Sequence, residues 1–134
     1  MMKLFFIVLN VSLSSSTELG LNNPDKDLIE AIIWVESRGN IFAHNKREDA
    51  VGCMQIRPIM VKEVNRILAK NGITKAYTLE DRWSKQKSIE MFYVIKSNTP
   101  NPTPEKLARN WNGGYKGYKC GCTLQYWKKV KEQL

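Results

Sequence analysis

The feature that most limits how this chain can fold is a carboxylate on the apolar face of a helix. Leu28 to Ser37 read LIEAIIWVES, with Ile29, Ile32 and Ile33 at helical spacing. At about 100° per residue, Glu36 falls on the same stripe. Asn23 is placed to cap this helix and Pro24 suits its first position. Asp25 and Asp27 put negative charge where the helix dipole favours it, and Gly39 is the expected stop. Such a helix either pairs Glu36 with a cation such as Arg38 or Arg47, or keeps it in a recess where the carboxyl is useful. Taken alone, pairing is the commoner outcome for a carboxylate at a helix end. In a recess, partial desolvation and the last-turn position both raise the carboxyl pKa. A glutamic acid protonated near neutrality can give a proton to a leaving group and later take one back.

Two further segments change that balance. Gly52-Cys53-Met54-Gln55 runs on into Ile56-Arg57-Pro58. Glycine permits a tight turn, and glutamine offers the donor and acceptor that sugar hydroxyls and acetamido groups need. Near the C-terminus, Ala108 to Gly114 joins Trp111, a ring able to stack on a sugar face, to Asn112 and a glycine turn. In isolation each has a plainer reading, a turn in one case and a helix C-terminus in the other.

The three segments, in this order, resemble the lytic transglycosylase family, of the soluble type with a goose-lysozyme-like catalytic domain. Glu36-Ser37 matches its Glu-Ser motif. Gly52 to Gln55 matches Gly-Leu-Met-Gln with Cys53 for leucine. Ala108 to Gly114 matches Ala-x-x-Tyr-Asn-x-Gly with Trp111 for tyrosine, and Tyr126 with Val130 matches a closing Tyr-x-x-x-Val helix. The resemblance covers roughly residues 24 to 134. It implies a mainly α, lysozyme-like domain with at most a small β-element near residues 50–57. It places acid and base catalysis on Glu36, and substrate contacts on Ser37, Gln55, Arg57, Trp111 and Asn112, with His44 and Asn45 near another family binding position. Ser37 is expected to orient Glu36 or the sugar. Arg57 stands where the family often has methionine, so its charge is free to meet a muramyl carboxylate or peptide. The implied substrate is peptidoglycan, cleaved between N-acetylmuramic acid and N-acetylglucosamine with a 1,6-anhydro end, by a monomer with no cofactor and no metal.

The rest of the chain fits that frame. Hydrophobic residues make up 43% and charged residues 25%, a globular balance. The net charge of +8 suits an anionic partner such as a cell-wall polymer. The positive residues are spread out rather than blocked, which argues against a nucleic-acid arm. Residues 1–16 read as a short export signal, with Lys3, the apolar run Leu4 to Leu9, and small Ser14 and Ser16 before Thr17. Residues 17–134 are then the lysozyme-like domain, exported to the periplasm or cell envelope, or carried as a phage-associated lysin. No other stretch is long enough to span a bilayer, so the mature chain is expected to make no stable membrane insertion.

Pro58 opens a helix with Met60, Val61, Val64, Ile67 and Leu68 buried and Gly72 as its stop; Asp81 or Ser84 caps the next; Thr103-Pro104 starts another. Thr123 is expected to cap a last helix that buries Leu124, Trp127, Val130 and Leu134. Cys120 and Cys122 are too close for an easy mutual bridge, which leaves each Cys53 or a partner chain to meet. Cys53 has no base beside it and reads as a small hydrophobe. One histidine and one Cys-x-Cys make a poor zinc site. The rival readings are a goose-type lysozyme hydrolase with Glu48 or Asp49 as helper, a non-catalytic wall-binding domain, and a helical nucleic-acid-binding module.

Overall fold

The computed structural model describes residues 23–134. The expected export signal and the start of the domain at residue 17 lie outside the described residues. Five α-helices carry the described fold: α1 (Pro24–Ser37), α2 (Pro58–Lys70), α3 (Lys85–Ser97), α4 (Pro104–Gly113) and α5 (Leu124–Lys131). Between α1 and α2 a short hairpin pairs β1 (His44–Asn45) with β2 (Ala50–Val51), antiparallel, with His44 opposite Val51. The β-element therefore begins earlier than residues 50–57. An isolated bridge from Val51 to Ile56 extends it across the Gly52 turn. No described helix is long and apolar enough to cross a membrane.

The helix ends follow their local chemistry. Asn23 Oδ1 accepts from the Asp25 and Lys26 amides. Ser84 and Thr103 cap α3 and α4 through their hydroxyls. Thr78 and Asp81 form a reciprocal capping box on the 3₁₀ turn Leu79–Trp83. The stop of α1 begins one residue before Gly39, with Arg38 already left-handed at φ 57°.

The apolar stripes meet in one core. Leu28, Ile29, Ile32 and Ile33 of α1 join Val64 and Ile67 of α2, Met91 and Phe92 of α3, Leu107 and Trp111 of α4, and Val130 of α5. Removing such a side chain from water is worth about 1.5–3 kcal/mol. Helix α1 packs on α4 and α5, while α2 packs on α3. Two ion pairs, Lys96–Asp25 and Lys85–Glu30, cross from α3 to α1.

Three expectations are corrected at the C-terminal end. Helix α5 buries Tyr126 and Val130 and leaves Leu124 and Leu134 exposed, so its inner face is turned from the one its leucines suggest. Thr123 makes no capping bond. Its hydroxyl donates to the Gly117 carbonyl at 2.7 Å and accepts from Arg109 Nε at 2.9 Å, tying the preceding loop to α4. Cys120 and Cys122 are bonded to each other, with Cα atoms 5.1 Å apart, within the range a disulfide spans. The tight 3₁₀ turns on either side bring them together. Cys53 is free and buried, as a leucine replacement should be.

Candidate active site

The site is built where the three sequence segments meet, and backbone carbonyls join them. Ser37 Oγ, at the end of α1, donates to the Cys53 carbonyl at 2.7 Å. Trp111 Nε1, on α4, donates to the Met54 carbonyl at 3.1 Å. Arg57, at the N-terminus of α2, donates to the Asn112 carbonyl at 2.9 Å. Each segment thus holds the next.

The Gly52–Gln55 turn fits its place closely. Gly52 has φ 82°, and a Cβ there would lie 2.0 Å from the Arg82 carbonyl oxygen. Only glycine accepts both that backbone and that approach. Gln55 is itself left-handed at φ 51°, a conformation costing a non-glycine residue on the order of 1 kcal/mol. Its amide nitrogen offsets this by donating to the Ala43 and Gly52 carbonyls at 3.1 and 2.9 Å. Oε1 takes no part in these bonds. Beneath the hairpin lies Arg82, 6% exposed, which donates to the Leu79, Asp49 and Ile56 carbonyls. Nothing in the sequence pattern marks Arg82. A charged residue in a short polar turn reads as solvated until its neighbours are known.

Glu36 lies on α1 beside this assembly, partly buried. Burial lifts its carboxyl from the ordinary range to about 7. The Arg57 guanidinium and the Tyr126 hydroxyl pull it down, and the Glu48 carboxylate pushes it up. Tyr126 is 8% exposed, and its hydroxyl makes no hydrogen bond of ordinary length. It nevertheless stands close enough to Glu36 that each shifts the other, and burial and Glu36 together raise the phenol well above its usual value. The Tyr-x-x-x-Val pattern marks this residue in the sequence, although its place beside Glu36 is not legible there. The arrangement can hold a proton on Glu36 at neutral pH and release it to a nearby oxygen.

Other expected site residues are placed differently. Trp111 is 2% exposed and packs on Phe92, with ring centroids 5.8 Å apart. Its ring is taken up by the core, which leaves no open face for the sugar stacking expected of it, and its N–H holds the Gly52–Gln55 turn. The Ser37 hydroxyl likewise goes to the Cys53 and Ile33 carbonyls, joining the first two segments. Asn112 is partly buried, and its contribution to the assembly is through its carbonyl. His44 and Asn45 are exposed on β1. His44 Nε2 lies 3.2 Å from Asp49 and its ring is edge-on to Trp83, while Asn45 Oδ1 accepts from the Arg47 amide. Their polar atoms are engaged within the hairpin. Among the described residues no group of three His, Cys, Asp or Glu side chains could hold a metal ion.

A family model described as the transglycosylase SLT domain matches residues 18–122. The chain belongs to that family. The match spans Glu36, the Gly52 turn and the Ala108–Gly114 segment, and stops before α5 with Tyr126. No curated protein and no solved structure matches the chain significantly. At the level of the family, this SLT domain is a peptidoglycan-directed transglycosylase of the class that cleaves glycosidic bonds.

Proposed function

We propose that this SLT domain is a lytic transglycosylase with Glu36 as its single acid and base. The observation that carries the reading is a Glu36 carboxyl held at about 7 beside Arg57 and Tyr126. Protonated Glu36 gives its proton to the glycosidic oxygen as the bond from muramyl C1 breaks, through an oxocarbenium-like transition state. The N-acetylglucosamine side leaves with a free hydroxyl. The carboxylate then takes the C6 hydroxyl proton of the same muramyl residue as O6 bonds to C1. A 1,6-anhydro ring forms, Glu36 is protonated again and no water is consumed. Arg57 favours the carboxylate that exists between the two steps, and burial favours the acid at either end. With one group doing both jobs, no second carboxylate is needed. The substrate lies outside the cytoplasmic membrane, which fits an exported chain.

Glu48 favours a second reading. It is the carboxylate that acts on Glu36, whereas Asp49 is engaged with His44 and lies 3.7 Å from Arg82. With Glu48 steering a water, the same site becomes a goose-type lysozyme. Purified peptidoglycan digested by the chain decides between them by product mass. Anhydro-muropeptides support the transglycosylase, and products heavier by one water move the assignment to hydrolysis.

A further inference from the structure

The three cysteines stand in two different settings. Cys53 is buried, and burial pushes its thiol up from the ordinary range, which keeps it out of thiol chemistry. Cys120 and Cys122 are bridged across a single glycine, with Cys120 half-buried and Cys122 exposed. So short a loop constrains the unfolded chain least, and the segment has other anchors. On either side of the bridge, Gly117 and Thr123 are buried against α4. A Cβ on Gly117 would lie 2.3 Å from the Arg109 carbonyl oxygen, and Thr123 Oγ1 accepts from Arg109 Nε at 2.9 Å. What the bridge adds is a fixed Cys120 peptide, whose carbonyl accepts from Arg109 Nη2 at 3.0 Å and from the Thr123 amide at 3.2 Å. Helix α5 begins at the next residue, Leu124, and carries Tyr126 to its place beside Glu36. The same surroundings prepare Cys120 to leave the bridge. The Cys122 amide donates to Cys120 Sγ at 3.1 Å, and the Arg109 guanidinium is held at Cys120 by its bond to the carbonyl. Both favour negative charge on that sulfur.

We propose that Cys120–Cys122 is a thiol–disulfide exchange site that opens to a dithiol while the chain stays folded, and that the closed bridge fixes the start of α5. A thiolate of the dithiol attacks the exposed Cys122 Sγ. The bond between the two cysteines breaks, and Cys120 leaves as a thiolate and takes a proton from water. The second thiolate of the dithiol then attacks the reagent's own sulfur in the mixed disulfide. A cyclic disulfide leaves, and Cys122 is released as a thiolate that water protonates. The dithiol is oxidised and the bridge reduced; a cyclic disulfide in excess drives the reverse. In the open form the Cys120 peptide is free to turn. Its carbonyl leaves the Thr123 amide, and the first turn of α5 loosens. Because α5 carries Tyr126, the state of the bridge reaches Glu36.

Dithiothreitol is the probe, with iodoacetamide trapping and peptide mass to map the thiols. In the folded chain Cys120 and Cys122 should be alkylated after reduction and Cys53 should not; before reduction none of the three should be. Oxidised dithiothreitol should close the pair again. Amide hydrogen exchange over residues 123–127 should run about tenfold faster in the reduced chain, the size of one lost backbone hydrogen bond, with α1 unchanged. Cys122→Ser should show the fast exchange with or without dithiothreitol, which separates the bridge from other effects of the reagent. Alkylation of Cys120 and Cys122 before reduction overturns the proposal. So does a bridge that opens only in urea, together with Cys53. Equal amide exchange in the oxidised and reduced chains overturns the hold on α5. None of these readouts needs turnover, so a chain that passes them and cuts no glycan loses the cleavage reading and keeps this one. In a chain that cuts glycan, reduction should move the alkaline limb of the pH profile upward, because the Tyr126 hydroxyl pulls less on Glu36. A limb that stays put overturns the coupling to the site.

Discussion

Burial lifts the Glu36 carboxyl against the pull of Arg57 and Tyr126, so both neighbours are handles on the pH profile. In the proposed mechanism the acid form gives the first proton, so kcat/KM should fall above pH about 7. Arg57→Met removes a cation that favours the carboxylate, and should move that alkaline limb upward; Tyr126→Phe should move it the same way. A limb that stays put in both variants would detach it from Glu36. Stability carries the same signature. The folded chain holds the Glu36 proton up to about 7, while an unfolded glutamate loses it near 4.5. Between these values the native state binds more protons, so its stability falls as pH rises through that window. Glu36→Gln should therefore be more stable than the native protein at pH 8, by about 2 kcal/mol after allowance for its partial exposure. The gain should vanish at pH 4, and chemical denaturation at both pH values measures it. Glu36 was legible because helical spacing sets a side chain's direction. The place of Tyr126 beside it was not, because spacing cannot say which of several apolar faces on α5 a neighbour covers.

At the scale of elements, the hairpin and turn between α1 and α2 concentrate the backbone demands of the fold. Gly52 and Gly72 are both left-handed, at φ 82° and 73°, yet only Gly52 meets another backbone. Gly72→Ala should cost about 1 kcal/mol, the price of the conformation alone. Gly52→Ala should cost about 3 kcal/mol or more, because the Arg82 carbonyl must also move. Urea denaturation of the two variants separates conformation from close approach, and equal losses would contradict the role given to Arg82. The helices were readable from period and caps, since Pro24 and Pro58 act through their fixed φ and Ser84 and Thr103 through bonds within a few residues. The Cys120–Cys122 bridge was not, because it depends on two consecutive 3₁₀ turns that no apolar spacing announces.

Across the whole molecule, the site depends on joining segments 16, 57 and 55 residues apart through Ser37, Trp111 and Arg57. Periodicity could not foresee these contacts; the order of the motifs could. In the same assembly the Trp111 ring is packed in the core and its N–H holds the Gly52–Gln55 turn. The motif marks a position, and burial decides whether its ring or its N–H is used. The basic surface, the peptidoglycan-directed family and the raised Glu36 carboxyl all bear on one cleavage. The most direct test compares native chain and Glu36→Gln on purified peptidoglycan, with circular dichroism confirming that both are folded. The account predicts muropeptide release by the native chain and a loss of about a thousandfold in the variant, the middle of the range for removing a general acid. Equal release by the two proteins would contradict it.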